Sequence, residues 1–147
     1  MITAIIEASR FDRKILIEEA IVGKEVECAV LGTDKVEAST VGQILSAEEF
    51  YSYDAKYKNA ESKVIIPADL PQKKIDEIRR TAIKAFKAVD GSGLSRVDFF
   101  VEKDTDKVYI NEINTMPGFT EISMYPKLWE HSGIKYSELL DKLIELA

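Results

Sequence analysis

The stretch RVDFFVEKDTDKVYINEINTMPG, residues 96–118, contains two segments rich in Val, Ile, Phe and Tyr on either side of a polar KDTD segment. This pattern predicts a β-hairpin with strands at residues 94–102 and 107–113. Four polar residues interrupt or directly follow these strands: Arg96, Asp98, Glu112 and Asn114. A strand packed on a core does not accept isolated charges. The hairpin therefore decides the fold, and its polar side chains require an explanation.

The register of this hairpin predicts which side chains lie side by side. A tight turn centred on Thr105 gives three pairs: Phe100 with Ile110, Asp98 with Glu112, and Arg96 with Asn114. Because strand side chains alternate, these six residues share one face. The opposite face is then continuous core, formed by Val97, Phe99, Val101, Tyr109 and Ile113. One face of the hairpin is therefore predicted to be polar at the end far from the turn.

Two facing carboxylates, Asp98 and Glu112, repel each other. At an effective dielectric constant of about 20, two such charges about 4 Å apart repel by roughly 4 kcal/mol. One acid is therefore protonated or a cation lies between them, and two carboxylates with an amide are ligands that suit Mg²⁺. The pattern leaves two alternatives open: a salt bridge from Arg96 to both acids, or a register shifted by one residue.

The segment NTMPGFT, residues 114–120, follows the second strand. Pro117 and Gly118 predict a sharp turn that brings a backbone N–H close to the polar face. A backbone donor beside a cation and an arginine can stabilise negative charge that develops on oxygen. This segment favours a site that handles phosphate.

The rest of the chain predicts an α+β domain. Strands are expected at residues 14–21, 24–32, 35–45 and 64–68, and helices near the start and at residues 71–89, 123–131 and 137–146. The helix at residues 71–89 is predicted from one apolar stripe, which contains Ile75, Ile78, Ala82, Phe86 and Val89. Residues 46–63 have no clean periodicity, and a loop of this length is usually functional. We therefore expect a mostly antiparallel sheet with helices packed against it, formed by residues 1–147 as one domain.

Composition limits the classes of function. The 147 residues are 46% hydrophobic and 31% charged, which is typical of a soluble globular protein. The net charge of −6 argues against nucleic acid as a partner. Cys28 is the only cysteine, so an internal disulfide cannot form and a reducing, cytoplasmic location is expected. We expect neither a secretory signal nor a membrane span, because Glu7 and Arg10 interrupt the opening residues and no apolar run reaches the roughly 20 residues that a span needs.

Several motifs resemble the C-terminal part of D-alanine–D-alanine ligases, which belong to the ATP-grasp superfamily. The likeness is carried by GLSRVDFF, VYINEINTMPGFT and MYPKLWEHSGIKYSELLDKLIELA, and upstream by ILIEEAIVGKEVECAVLG and FYSYDAKY. In that family ATP phosphorylates the carboxylate of one D-alanine, and the amine of a second D-alanine attacks the acyl phosphate. The resemblance implies synthesis of D-alanyl-D-alanine for peptidoglycan precursors.

The resemblance also implies roles for the polar face of the hairpin. Asp98 and Glu112 would hold one Mg²⁺, and Glu112 with Asn114 would hold a second; Mn²⁺ could replace either ion. Arg96 and the backbone N–H of Gly118 would stabilise the tetrahedral intermediate. These groups position the reactants and neutralise charge, as phosphoryl transfer requires.

By the same resemblance, residues near the start of the chain would bind the nucleotide. Glu18, Glu19 and Ile21 match a strand that recognises adenine, with the Glu18 carboxylate reaching the exocyclic amine. Glu25 matches an acid that bonds the ribose hydroxyls, and Phe50 would pack on adenine. Without the resemblance, Glu18 and Glu19 read as a solvated pair of acids, and Phe50 reads as a loop anchor.

The remaining implied contacts involve substrates. Ser123 and Met124 match the place that holds the carboxylate of the second substrate. Lys56, in the predicted loop, would reach the transferred phosphate, and Tyr57 would lie near the second D-amino acid. The loop itself would close over the substrates and exclude water. The alternative for Lys56 and Tyr57 is a solvated lysine with a packed tyrosine.

The chain departs from the family in length. These ligases are roughly twice as long, and no glycine-rich loop precedes Glu18. We expect a fragment that has little or no ligase activity without the remaining domains. The other functions left open are a D-alanine–D-serine ligase, another ATP-grasp carboxylate–amine ligase, and a non-catalytic nucleotide- or metal-binding module.

Overall fold

The computed structural model describes residues 1–45, 63–120 and 122–147. Five strands form one antiparallel sheet in the order β3-β2-β1-β4-β5. In chain order the described elements are α1 (Ile2–Ala8), β1 (Gly23–Gly32), β2 (Glu37–Leu45), β3 (Lys63–Ile65), α2 (Gln72–Ala88), β4 (Gly93–Glu102), β5 (Val108–Asn114), α3 (Met124–His131) and α4 (Tyr136–Glu145). The predicted α+β architecture is confirmed. The predicted loop with Phe50, Lys56 and Tyr57 lies outside the described residues.

Helix α2 covers one face of the sheet. Its buried stripe contains Ile75, Ile78, Ala82 and Phe86, as predicted, and packs on apolar residues of β1, β2 and β4. Cys28 is fully buried in this core, and burial raises the pKa of its thiol to about 12. The cysteine therefore packs as an apolar residue.

Helices α3 and α4 cover part of the other face. Their buried residues Tyr125, Leu128 and Leu139 pack with Ala29 and Leu31 of β1. Gly42 of β2 leaves room for this packing, because a Cβ there would lie 2.6 Å from Met124 Cε. The next residue of β1 on this face, Glu27, lies outside the apolar cluster. A polar site can therefore form directly beside the two helices.

The strand predicted at residues 14–21 is absent, and that prediction is wrong. Residues 14–22 have no regular secondary structure, and Leu16 is 88% exposed. A strand needs a neighbour to satisfy its backbone groups. Each pairing of the described sheet joins two of the strands β1 to β5, so none of them pairs with this segment.

Within the described part of the chain, no helix is long and apolar enough to cross a bilayer.

The hairpin register is confirmed at the polar end and wrong near the turn. Arg96 pairs with Asn114 and Asp98 pairs with Glu112, as predicted. Closer to the turn, Phe100 pairs with Tyr109 rather than with Ile110. Two features shift the pairing by one residue in opposite directions, and their effects cancel at the polar end.

The first feature is the turn, and the second is a β-bulge. The Glu102 N–H donates to the Lys107 carbonyl at 2.9 Å, so the turn centre lies before Thr105. The bulge between Asp98 and Phe99 then adds one residue to β5. As a result Tyr109 is not part of the core, and Val108 packs there instead.

Candidate functional site

Three acids form a row across neighbouring strands. Glu27 of β1 lies opposite Asp98 of β4, and Asp98 lies opposite Glu112 of β5. Opposed residues of a sheet share a face, so the three carboxylates lie on the face that α3 and α4 partly cover. Asp98 and Glu27 are each only 4% exposed. Two buried acids beside a third, exposed one need compensating positive charge.

Arg96 supplies a positive group beside these acids. Its Nε donates to Asp98 Oδ1 and its Nη2 donates to Asp98 Oδ2, both at 2.8 Å. This two-pronged geometry is the strongest form of an arginine–carboxylate pair. The salt bridge that the sequence left open is therefore present to Asp98.

Asn114 supplies a further hydrogen-bond donor, which is neutral. Its Nδ2 donates to Asp98 Oδ2 and to Glu112 Oε1, each at 3.0 Å. The amide N–H₂ therefore lies between the two carboxylates that the sequence predicted to face each other. A rotation of the side-chain amide would exchange this nitrogen for an oxygen with little change of shape.

Glu27 is a site residue that the sequence analysis missed. Its Oε2 lies 3.2 Å from Arg96 Nε, yet it has no hydrogen-bond partner among the described residues. The short distance and the missing bond agree, because Nε has one hydrogen and donates it to Asp98. The alternation of buried Val26 and Cys28 in VECAVL was the available signal, since it places Glu27 on the opposite face of β1.

Burial and charge crowding act on the acids of the row. Burial, reinforced by the neighbouring Asp98, raises the pKa of Glu27 to about 7, although Arg96 opposes the shift. Burial also raises the pKa of Asp98, against the lowering effect of its bonds to Arg96. Burial is the largest cause of both shifts, so the raised pKa values mainly reflect the exclusion of water from the Glu27 and Asp98 carboxyls.

This donor set fits a hard divalent cation. Carboxylate and amide oxygens are the ligands that Mg²⁺ prefers, and carboxylate oxygens of Asp98 and Glu112 both lie 3.0 Å from the Asn114 amide. Among the residues that the structure describes, no three His, Cys, Asp or Glu side chains are grouped so that they alone could hold a metal. The fit therefore depends on Asp98 and Glu112 together with the Asn114 amide.

The raised pKa of Glu27 predicts that stability depends on pH. The carboxyl titrates near 7 when folded and near its ordinary value of 4.5 when unfolded. Between these values the folded state binds more protons, so stability falls as pH rises from about 4.5 to about 7. The expected loss is about 3 kcal/mol, and Glu27→Gln should remove it. Urea unfolding in EDTA at pH 5 and pH 8 measures the stability of the wild type and of Glu27→Gln. Equal losses of stability in the two proteins would contradict the raised pKa of Glu27.

The residues predicted to bind nucleotide lie on the N-terminal part of the chain. Glu18 and Glu19 are exposed in the segment without regular structure, and Ile21 is half-buried there. Glu25 lies on β1, two residues before Glu27 on the same face, and pairs with Phe100. Of these four described residues, only Glu25 belongs to the sheet that carries the row of acids.

The residues predicted to contact substrates follow β5. Gly118 is exposed, and a Cβ there would lie 3.1 Å from Ser123 Oγ. Ser123 Oγ accepts a hydrogen bond from the Thr120 N–H at 3.0 Å and lies 2.8 Å from Thr120 Oγ1. The Met124 side chain is buried in the apolar cluster, so only its backbone can face a ligand. Thr120, which the sequence analysis did not name, therefore orients the Ser123 hydroxyl.

Comparison with known proteins gives consistent matches along the chain. Residues 1–145 match the family described as D-ala D-ala ligase C-terminus. The D-alanine–D-alanine ligase of Acetivibrio thermocellus is 67% identical over 144 residues, which is 98% of this chain and 38% of the relative. That of Clostridium acetobutylicum is 56% identical over 141 residues, which is 96% of this chain and 41% of the relative. The chain thus spans about two fifths of the length of these relatives.

Solved structures match over similar ranges. A D-alanine–D-alanine ligase from Coxiella burnetii has a TM-score of 0.84 and 43% identity, covering 99% of this chain and 37% of its own. The VanG D-Ala:D-Ser ligase of Enterococcus faecalis has a TM-score of 0.77 and 40% identity, covering 88% and 37%. A D-alanine–D-alanine ligase from Bacillus anthracis complexed with ATP has a TM-score of 0.78 and 29% identity, covering 99% and 45%.

Proposed function

Because this chain belongs to the D-ala D-ala ligase C-terminus family, we propose that it supplies the ATP- and Mg²⁺-binding half of an enzyme that joins two D-alanines. The product would be D-alanyl-D-alanine for peptidoglycan precursors. One observation carries the proposal: Asp98 and Glu112 share the Asn114 amide on a sheet face that also holds Arg96.

Asp98, Glu112 and Asn114 would hold the metal. Asp98 and Glu112 would bind one Mg²⁺, and Glu112 with the rotated Asn114 amide would bind a second, with Mn²⁺ as a substitute. When bound, the metal would offset the negative charge of the ATP phosphates. Buried Asp98 is held in place by Arg96, so its carboxylate is already oriented when the nucleotide arrives.

Arg96 and the Gly118 N–H would act on the reacting oxygen. Arg96 has donors beyond those that bond Asp98, and its partly buried position strengthens their electrostatic effect. Ser123 would bond the carboxylate of the second substrate through its hydroxyl, which Thr120 orients. Met124 would contribute its backbone N–H at the start of α3, where the helix dipole favours a negative group.

The nucleotide base and ribose would bind near the start of the chain. Glu18, Glu19 and Ile21 would recognise adenine, largely through backbone groups, and Phe50 would pack on the ring. Glu25 would bond the ribose hydroxyls. Its position on β1, on the same face as the row of acids, supports a nucleotide that runs along this face towards the metal.

Lys56 and Tyr57 would act from the loop, with Lys56 on the transferred phosphate and Tyr57 near the second amino acid. D-alanine is the preferred second substrate because most of the similar ligases are named for it. D-serine is the second candidate, because the chain also resembles the VanG D-Ala:D-Ser ligase at 40% identity.

Residues 1–147 would form the C-terminal ATP-grasp subdomain of the enzyme. The relatives are more than twice as long, so further domains would hold the first D-alanine and the rest of ATP. We therefore expect little turnover from the 147-residue chain alone. A cytoplasmic location follows from the supply of ATP.

Metal binding tests the core of this proposal. Glu112→Gln should weaken Mn²⁺ binding to the 147-residue chain at least about tenfold, because a neutral amide is a poorer ligand for a hard cation. Glu130→Gln, an exposed acid of α3, serves as the control and should bind as the wild type does. Titration calorimetry with and without ATP measures all three proteins. Equal Mn²⁺ affinities of the wild type and Glu112→Gln would refute the proposed metal site.

Activity would require further domains like those of the longer relatives. Residues 1–145 can replace the matching segment of the Acetivibrio thermocellus ligase, which is 67% identical. The grafted enzyme should release ADP when D-alanine is added. A folded graft that binds ATP and Mn²⁺ but releases no ADP would favour the non-catalytic module. ADP release with D-serine rather than D-alanine as the second substrate would favour the D-serine ligase.

A further inference from the structure

Glu27 stands beside Arg96 without a defined role. It is buried, its Oε2 lacks a hydrogen-bond partner, and that oxygen lies 3.2 Å from Arg96 Nε. Asp98 lies on the same guanidinium at 2.8 Å. A buried, unpaired acceptor is costly, so its presence beside a proposed functional arginine requires an explanation.

The two acids compete for one hydrogen. Arg96 Nε can donate to Asp98 Oδ1 or, after a small movement, to Glu27 Oε2. If Asp98 binds Mg²⁺, its oxygens share their electron density with the metal and become weaker acceptors. Glu27 is then the strongest acceptor available to Nε.

We propose that Glu27 is a positioning residue for Arg96: it accepts the Nε hydrogen when Asp98 binds the metal, and so keeps the guanidinium directed at the reacting oxygen. This inference rests on the proposed function, in which Asp98 is a metal ligand and Arg96 contacts the intermediate. Glu27 itself touches neither the metal nor the substrate.

The sheet geometry argues against Glu27 as another metal ligand beside Glu112. β4 lies between β1 and β5, so the backbones that carry Glu27 and Glu112 are two strand spacings, about 10 Å, apart. One ion shared by both would require the two side chains to extend towards each other over Asp98, which would draw Glu27 away from Arg96. Arg96, in the next row of the same face, is within direct reach.

Kinetics of the grafted ligase test the coupling. Glu27→Gln should lower kcat about tenfold and leave the KM for ATP within about threefold, since a neutral acceptor holds Nε less strongly. In an Arg96→Lys background the same change should alter kcat by less than about threefold, because lysine has no Nε. Equal effects in both backgrounds would overturn the proposal. Glu37→Gln, an exposed acid of β2, is the control.

A second readout does not depend on activity. In the wild-type 147-residue chain, Mg²⁺ should slow solvent exchange of the Arg96 Nε hydrogen. In Glu27→Gln the slowing factor should be at least about fivefold smaller. Nitrogen-15 spectra of the arginine side chains measure this exchange. The same slowing in both proteins would overturn the proposal.

Mn²⁺ titration separates the possible failures. Glu27→Gln should bind Mn²⁺ within about threefold of the wild type, while Glu112→Gln loses at least about tenfold. If Glu27→Gln loses as much as Glu112→Gln, Glu27 is a metal ligand and the positioning role is wrong. If neither variant changes Mn²⁺ binding, the proposed metal site fails, and the metal-dependent positioning role fails with it.

Discussion

Replacement of Arg96 by lysine should lower kcat of the grafted ligase by two to three orders of magnitude. Lysine keeps the positive charge, but it loses the fork that bonds both oxygens of Asp98. The loss of one donor that stabilises a developing oxyanion commonly reduces turnover by about 10²–10³. The KM for ATP should stay within about threefold of the value for the graft that retains Arg96. A coupled assay of ADP release measures both quantities.

Lysine is the informative replacement because alanine would also disturb the fold. Removal of the guanidinium leaves Asp98 and Glu27 buried without their counter-charge, and breaking such a pair commonly destabilises a protein by about 3–5 kcal/mol. Arg80→Lys, an exposed position on α2, is the matched control and should leave turnover unchanged. Full turnover of the Arg96→Lys graft would remove Arg96 from the catalytic groups.

Replacement of Gly32 by alanine should destabilise the domain by about 3 kcal/mol or more. Gly32 ends β1 with φ at +124°, a conformation that side chains rarely adopt, and such strain costs about 1–3 kcal/mol. An added Cβ would lie 2.1 Å from the Lys35 carbonyl oxygen, so the backbone of the turn must also move. Urea unfolding measures the change.

Gly133→Ala separates strain from collision. Gly133 also has a positive φ, +95°, but a Cβ there meets nothing within 4 Å. We expect this variant to lose about 1–2 kcal/mol, from strain alone. If Gly32→Ala is no less stable than Gly133→Ala, the close approach to Lys35 has no energetic effect.

Local patterns correctly predicted most elements, and the reasons can be seen in particular residues. In α2, Ile75, Ile78 and Phe86 recur at helical spacing, and all three are buried. Val89 was expected in the same stripe but is exposed, because the helix ends at Ala88 and the chain turns at Asp90, where φ is +55°. Periodicity thus predicted the helix, while its last residue depended on the turn that follows.

Patterns failed where a residue depends on a distant partner. Residues 14–21 have the composition of a strand, but no described strand pairs with them. The bulge beside Asp98 shifts the pairing near the turn, and no local signal in DFFVEKD indicated it. Met124, predicted to hold substrate, has its side chain in the core because α3 packs over Gly42.

By itself, the sequence determined that Arg96 and Asp98 share one face of β4 and that Glu112 and Asn114 share one face of β5, because alternation within a strand is a local property of the chain. The pairing of Asp98 with Glu112 also depended on a turn and a bulge whose shifts cancel. Only the tertiary structure decided that Glu27 joins them, because the β1–β4 pairing unites residues 71 positions apart whose alignment no local pattern specifies. The tertiary structure also decided how deeply Glu27 and Asp98 are buried. Neighbouring strands exclude water from Glu27 and Asp98, and this exclusion, with repulsion between acids, raises the pKa values of these two groups.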